Sequence, residues 1–191
     1  MRDRRQVYFL TSNKGKFNEA AAVAAAFGVR LLMRKSAKIE IQSDSLRRIA
    51  SYAAQEAAKR LGVAVVAEDA GLFIEELHGF PGPYSSDVFK RLGNHGALKL
   101  MENITRRNAS FHSAVAFCTP RGKAKCFTGA VVGRIGPEPR GTGGFGFDPI
   151  FIPKAGDGRT FAEMTNEEKN KISHRAVAFR KLSRWLSALQ T

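Results

Sequence analysis

Lys169, His174 and Arg175 stand just before or inside an amphipathic helix near the C-terminus, with Glu167 and Glu168 immediately upstream. Cationic side chains in a first helical turn oppose the helix dipole, and an anion nearby would offset that placement. Arg can fork onto an oxo group or a phosphate, and His can donate to oxygen near neutral pH. Thr11-Ser12-Asn13-Lys14-Gly15-Lys16 follows an apolar run and opens a helix, where unpaired amides favour a phosphate. It is not a Walker A motif, because its hydroxyls come first and its lysines fall within the first turn. Glu68-Asp69 follows another apolar run, so one or both carboxylates are expected at the carboxyl end of a strand, where α/β sheets bind ligands. Hard oxygens there suit Mg2+, which takes one or two protein carboxylates and leaves positions for water and phosphate. Glu40, at the end of a third β-like run, is a candidate second ligand. Phe145-Gly146-Phe147-Asp148 sets aromatic faces beside a carboxylate, a combination able to stack a nucleobase and accept from its ring nitrogens. Each segment also has a structural reading: a capped helix with solvated lysines, a solvated strand end, or aromatic plugs of the core.

These residues must be positioned by a chain of 191 residues, enough for one domain with a substantial core. Hydrophobic content of 43% and charged content of 25% suit a soluble globular protein, and 31 basic against 17 acidic residues leave a formal charge of +14. That excess favours anionic partners, whether a triphosphate or a nucleic-acid backbone. Cys118 and Cys126 lack the spacing of a zinc site or redox pair, so buried thiols are expected. No apolar run is long enough for a bilayer and no signal region opens the chain, so a soluble cytoplasmic protein is expected.

Val7–Leu10 reads as a strand, 14–27 as an alanine-rich helix stopped by Gly28, and 29–33 as a second strand, a β-α-β start. A second helix runs from Ser43-Asp44-Ser45 to Leu61 with Gly62 as its stop, and a buried strand spans 63–67. Residues 71–77 read as a further strand, and 86–103 as a helical region. Residues 110–119 and 123–135 read as a long antiparallel hairpin, which breaks the parallel pattern. The glycine- and proline-rich segment 136–146 is a loop framing a pocket. The last helix, from about Ser173, aligns Ala176, Phe179, Leu182, Leu186 and Leu189 on a core stripe, with Arg180, Lys181 and Arg184 off it. His78, His95 and His112 have no metal-ligand spacing and read as surface or turn residues.

Taken in order, Thr11-x-Asn-x-x-Lys16 with Glu19, Glu68-Asp-x-Gly-Leu72, Gly79-Phe-Pro-Gly-Pro-Tyr84, Gly144-Phe-Gly-Phe-Asp-Pro-Ile-Phe151 and Glu168-Lys-Asn-x-Ile-Ser-His-Arg175 resemble the inosine triphosphate pyrophosphatase family. These are the Ham1-like, non-canonical purine NTP pyrophosphatases, and the resemblance spans Val7 to about Leu182. It implies an α/β fold with an elongated mixed sheet flanked by helices, one domain over 1–191 with two lobes and a central cleft, a homodimer and dependence on Mg2+. It implies hydrolysis of ITP, dITP and XTP between the α- and β-phosphates, giving the monophosphate and pyrophosphate. On this chain it implies Asp69 as the residue that orients or deprotonates water and helps bind Mg2+, with Glu40 and possibly Glu68 as further ligands. Thr11 to Lys16 and Lys169 would meet the triphosphate, Ala70 would line the substrate site, and Phe145 to Asp148 with His174 and Arg175 would hold the purine. The chain departs from the common pattern at Ala70, where many members carry serine, at Ala53, where many carry a phosphate-facing lysine, and at Phe147, which replaces tyrosine or tryptophan.

Two other readings stand beside this one. A Maf-like pyrophosphatase would keep the chemistry and change the base. A basic nucleic-acid-binding module would explain the charge but leaves the acidic pair Glu68-Asp69 unexplained, and no recognisable DNA- or RNA-binding motif accompanies it.

Overall fold

The computed structural model describes residues 6–35, 39 and 41–189. Strand β1 (Gln6–Leu10) leads to helix α1 (Lys14–Ala25), strand β2 (Arg30–Arg34), helix α2 (Leu46–Leu61) and the ten-residue strand β3 (Val65–Ile74). A short β4 (Pro81–Gly82) precedes α3 (Ser85–Leu100), which is broken at Gly93 by a non-helical φ of 60° and ψ of −166°. The hairpin of β5 (Asn108–Cys118) and β6 (Lys125–Ile135) follows, then β7 (Phe151–Pro153), α4 (Asn166–Ile172) and α5 (His174–Ala188). The strands form one mixed sheet in the order β2-β1-β3-β5-β6-β7, with β4 paired to β3. β1 pairs in parallel with β2 and β3, while β3–β4 and β6–β7 are antiparallel.

The chain divides into two compact units: residues 1–69, 113–129 and 175–191, and residues 70–112 and 130–174. In the first, β2 and β3 lie on opposite sides of β1. The crossover β1-α1-β2 runs one way along the sheet and the crossover β2-α2-β3 runs back past β1, so two right-handed connections put α1 and α2 on opposite faces. The α1 face buries Ala20, Val23 and Ala24 with Ala176, Phe179, Leu182 and Leu186 of α5 against Val7, Phe9, Val66 and Val115. Phe9 and Phe179 meet edge to face at 5.2 Å. α2 turns its alanines Ala50, Ala53, Ala54, Ala57 and Ala58 inward. The second unit has its own core, in which Leu72, Ile74, Met101, Phe111, Ile135, Phe147, Ile150, Phe151 and Phe161 pack together.

Three sequence expectations are corrected here. Residues 63–67 and 71–77 are not two strands but parts of one, because β3 runs unbroken through Glu68-Asp69-Ala70-Gly71. The charges look like a strand end, yet Glu68 is neutralised by ion pairs inside the protein. Gly71 looks like a breaker, yet a side chain there would collide with the backbone of Gly82, so the glycine lets β4 lie against β3. Leu189 lies beyond the end of α5 and is 53% exposed, off the core stripe. His112 is not in a turn: it sits within β5, half-buried, edge-on to Phe73 and hydrogen-bonded to Ser110 at 2.8 Å, and burial lowers its pKa. Of the two thiols, Cys118 is buried and Cys126 partly so.

Candidate functional site

In the first unit, β1 ends at Leu10, and its pairing with β3 extends through Leu10 and Ala67. Glu68 and Asp69 therefore lie mid-strand in β3 but at the carboxyl end of its parallel pairing, where the chain from β1 crosses to the other side. The loop leaving β1 is built by its own side chains. Asn13 N donates to Thr11 Oγ1 at 3.1 Å, and Asn13 Oδ1 caps α1 by accepting from Lys16 N at 3.0 Å. These oxygens are thus spent on shaping the loop, while Ser12 and Lys14 are exposed and Gly15 and Lys16 half-buried.

Glu68 is the hub of this unit. Arg175, in the first turn of α5, donates from Nε to Glu68 Oε1 at 2.7 Å and from Nη1 to Glu19 Oε2 of α1 at 2.6 Å. Ser113 Oγ of β5 donates to Glu68 Oε1 at 2.9 Å, and Lys16 Nζ stands 3.4 Å from Oε2. Burial alone would raise the Glu68 pKa. The guanidinium of Arg175, the ammonium of Lys16 and hydrogen bonds from Ser113 and Arg175 outweigh it and hold the group at about 2. Arg175 is therefore placed on two carboxylates of this unit. The anion that offsets its position in the first turn of α5 is supplied by the protein.

Successive strand residues point to opposite faces, so Glu68 and Asp69 do not share one. Glu68 lies with Val66 on the α1–α5 face, and Asp69 on the α2 face, 9% exposed. Glu68 is engaged by three donors and is a poor metal ligand, whereas Asp69 presents its carboxylate on the opposite face. Glu40 lies outside the described residues. Among the described residues no group of three His, Cys, Asp or Glu side chains is arranged for a metal. Ala53, where many members of the resembled family carry a lysine, is 1% exposed on α2.

In the second unit, Asp148 turns inward. Its Oδ2 accepts from the Phe145 amide at 2.7 Å and from Lys169 Nζ at 2.6 Å. Lys169 is 1% exposed, with its ammonium 5.0 Å from the Phe145 ring centroid and 5.2 Å from that of Phe161. Lys169 thus lies with the aromatic loop of this unit. Phe147 is no stacking platform: it is 3% exposed and packs edge-on against Phe89 at 5.3 Å. Phe145 and Gly146 are half-buried, as is Ala70 on β3. His174 is 3% exposed and lies flat on Phe111, with centroids 4.8 Å apart and planes at 9°.

Of the Glu68 hub, Glu19 stood within the first motif but was given no role, and Ser113 was not among the candidates. Glu19 had a signal, as the lone acid on the buried alanine face of α1. Ser113 had none, since a serine in a strand of alternating burial is unremarkable.

A profile of the Ham1 family matches residues 7–185. The dITP/XTP pyrophosphatase of Methanopyrus kandleri is 50% identical over 180 residues, 94% of this chain and 95% of the relative. That of Thermococcus kodakarensis is 49% identical over 178 residues, 93% and 95% of the two chains. Among solved structures, the Ham1 protein of Staphylococcus aureus superposes with a TM-score of 0.82 at 28% identity, covering 97% of this chain and 100% of its own. A HAM1 protein from Coxiella burnetii gives 0.82 at 30% identity, covering 96% and 99%.

Proposed function

The chain belongs to the Ham1 family, and on that premise we propose that it is a nucleoside triphosphate pyrophosphohydrolase acting on dITP, XTP and ITP. The observation that carries the reading is the buried hub of Lys16, Glu19, Glu68, Ser113 and Arg175 at the carboxyl end of the β1–β3 pairing, beside the start of α1. Nothing in the packing of an inert sheet calls for five polar side chains there, since buried ion pairs seldom add stability over apolar packing.

In this reading Asp69 orients the attacking water and takes its proton. The water oxygen bonds to the α-phosphorus as the bond from that phosphorus to the bridging oxygen breaks, and pyrophosphate leaves with that oxygen. Lys16, whose side chain is 25% exposed beside Glu68, is placed to meet a phosphate. Glu68 aims it. The side-chain donors of Thr11 to Lys16 and the amides not spent within the loop donate to phosphate oxygens. Among the described residues Asp69 is the carboxylate suited to hold Mg2+, with Glu40 as a further ligand. One carboxylate is enough for an ion that fills its remaining positions with water and phosphate oxygens. Bound there, Mg2+ would supply neutralisation of the charge on the leaving pyrophosphate.

In the second unit, Phe145 offers the purine a ring, and the Lys169–Asp148 pair fixes the loop that carries it. Donors from His174 and this loop favour the 6-oxo group of hypoxanthine and xanthine. The 6-amino group of adenine would meet donors and leave them unsatisfied, at a cost of about 1–3 kcal/mol. No helix of the described residues is long and apolar enough to cross a membrane. Action on the cytoplasmic nucleotide pool as a homodimer completes the reading.

The test is a panel of nucleoside triphosphates incubated with Mg2+ and analysed for products. IMP or XMP with pyrophosphate should form much faster than AMP from ATP. Release of orthophosphate, or equal rates on ATP and GTP, would overturn the assignment.

A further inference from the structure

α4 carries Lys169 but has only seven residues, too few to hold itself helical in water. The glycine-rich segment 136–146 has no regular structure, yet it delivers Phe145 to Lys169. Something else must fix both, and a second polar network, outside the residues assigned to the nucleotide, does so.

Arg159 is its centre. Its Nη2 and Nη1 fork onto the two oxygens of Glu168 at 2.7 and 3.2 Å, Nη1 reaches the Glu163 carbonyl at 3.3 Å, and Nε bonds Asp157 at 2.9 Å. Glu168 directly precedes Lys169, and it also closes a capping box with Thr165 at the start of α4. A second capping box joins Thr160 and Glu163 five residues earlier. From it, Thr160 Oγ1 donates to the Arg140 carbonyl at 2.9 Å. Arg140 in turn donates from Nη2 to the Gly158 carbonyl at 2.7 Å and pairs with Glu163 at 3.5 Å.

The glycine-rich segment lies directly on this double cap. Gly143 N donates to the Ala162 carbonyl at 2.9 Å. Gly141 has a φ of +79°, and a side chain there would fall on the Ala162 and Glu163 backbone. Thr160 is 0% exposed, so its hydroxyl belongs to the fold and not to a solvent shell.

From this we infer that Arg159, Thr160, Glu163 and Arg140 are positioning residues for purine selection: they hold the segment bearing Phe145 and the helix bearing Lys169 in register. The inference rests on the purine reading of that loop. None of the four touches Lys169, Asp148 or Phe145 in the contacts above. Their effect passes through the placement of those groups, and a misplacement of about 1 Å in a binding constellation can cost on the order of a hundredfold.

The experiment measures kcat and KM for ITP and ATP in the full-length wild type, Arg159→Ala, Arg159→Lys and Thr160→Val. Trypsin cleavage after Arg140 is followed in parallel. Arg159→Ala should raise the KM for ITP and lower the ITP-over-ATP ratio of kcat/KM by about tenfold or more. Its kcat at saturating ITP should stay within about twofold of wild type, since the chemistry is assigned to the other unit. Arg159→Lys should recover part of the ratio. Thr160→Val, close to isosteric, should lower the ratio in the same direction, and it keeps the test alive if Arg159→Ala does not fold. Cleavage after Arg140 should accelerate in Arg159→Ala and Thr160→Val. An unchanged ratio and unchanged cleavage in both overturn the inference, and so does an equal fall for ITP and ATP carried by kcat. A wild type that fails to prefer ITP sinks the purine reading instead. Faster cleavage in the variants would then still show the restraint on the loop.

Discussion

Arg175 and Lys169 are both buried cations set against buried carboxylates, yet they are held in opposite ways. The partners of Arg175, Glu19 and Glu68, lie 156 and 107 residues away in sequence, on α1 and β3. The partner of Lys169, Asp148, is 21 residues away, on a loop fastened by the caps that precede α4. A planar guanidinium serves the first place, where two carboxylates arrive from different elements. A point charge serves the second, where one carboxylate and two aromatic rings surround it. The first cluster cannot form before distant parts of the chain have met, so its loss should be felt by the whole unit. The second depends on local turns, so its loss should be felt as a shift in what the loop presents. Rate should therefore follow the first unit, and choice of base the second.

Asp69→Asn is the variant that most severely tests this division. It keeps the size of the side chain and removes the base, so turnover of ITP should fall by about 100- to 10,000-fold. The circular dichroism spectrum and melting curve should remain those of the wild type. The residual activity should keep the wild-type preference for ITP over ATP. A variant that loses discrimination along with rate would show that the two tasks are not divided.

Glu68→Gln should instead damage the fold. It leaves Arg175 and Lys16 short of a charge inside the protein, and breaking a buried pair from one side costs about 3–5 kcal/mol. Denaturant unfolding should show that loss without a change in slope. The same residue sets a pH dependence. Its folded pKa of about 2 lies below the ordinary glutamate value of 4.5. The stability it contributes is therefore present above pH 4.5 and is lost as the pH falls from 4.5 towards 2. Wild type and Glu68→Gln should converge in stability across that window. Parallel curves for the two proteins would mean that Glu68 is not the charged hub.

Much of this was legible in the sequence because helix signals are local. Asn13 and Ser45 cap α1 and α2, Gly62 stops α2, and the stripe from Ala176 to Leu186 is core. What was hidden is what depends on partners. Glu68-Asp69 reads as a strand end, because nothing local says that Arg175, over a hundred residues on, will neutralise Glu68 inside a continuing strand. The same pair reads as two ligands for one ion, although alternation along β3 sends them to opposite faces. Phe145 and Phe147 look equivalent two residues apart, and only the packing of Phe89 makes one of them core. Arg159 and Thr160 carried no signal at all, since a capping box is common and gains a second use only where a glycine-rich segment lies on it.

Thr165→Ala gives the smallest effect and the finest test of the local character of the second cluster. The threonine hydroxyl accepts from the Glu168 amide at 3.2 Å, and the Thr165 amide donates to Glu168 Oε2 at 2.8 Å. Alanine removes the first bond and leaves the second, so the cost should be about 1 kcal/mol, typical of a lost N-cap. Because α4 has seven residues and little helical stability of its own, that cost should appear as local opening before global unfolding. Amide exchange at 169–173 should quicken by about fivefold, the Boltzmann factor for 1 kcal/mol, while amides of β1 and α5 keep their wild-type protection. Arg159 still grips Glu168 in this variant, so the preference for ITP should change little. Exchange that quickened equally in both units would mean that α4 opens only when the whole protein does, and the contrast between a globally built hub and a locally fastened one would be lost.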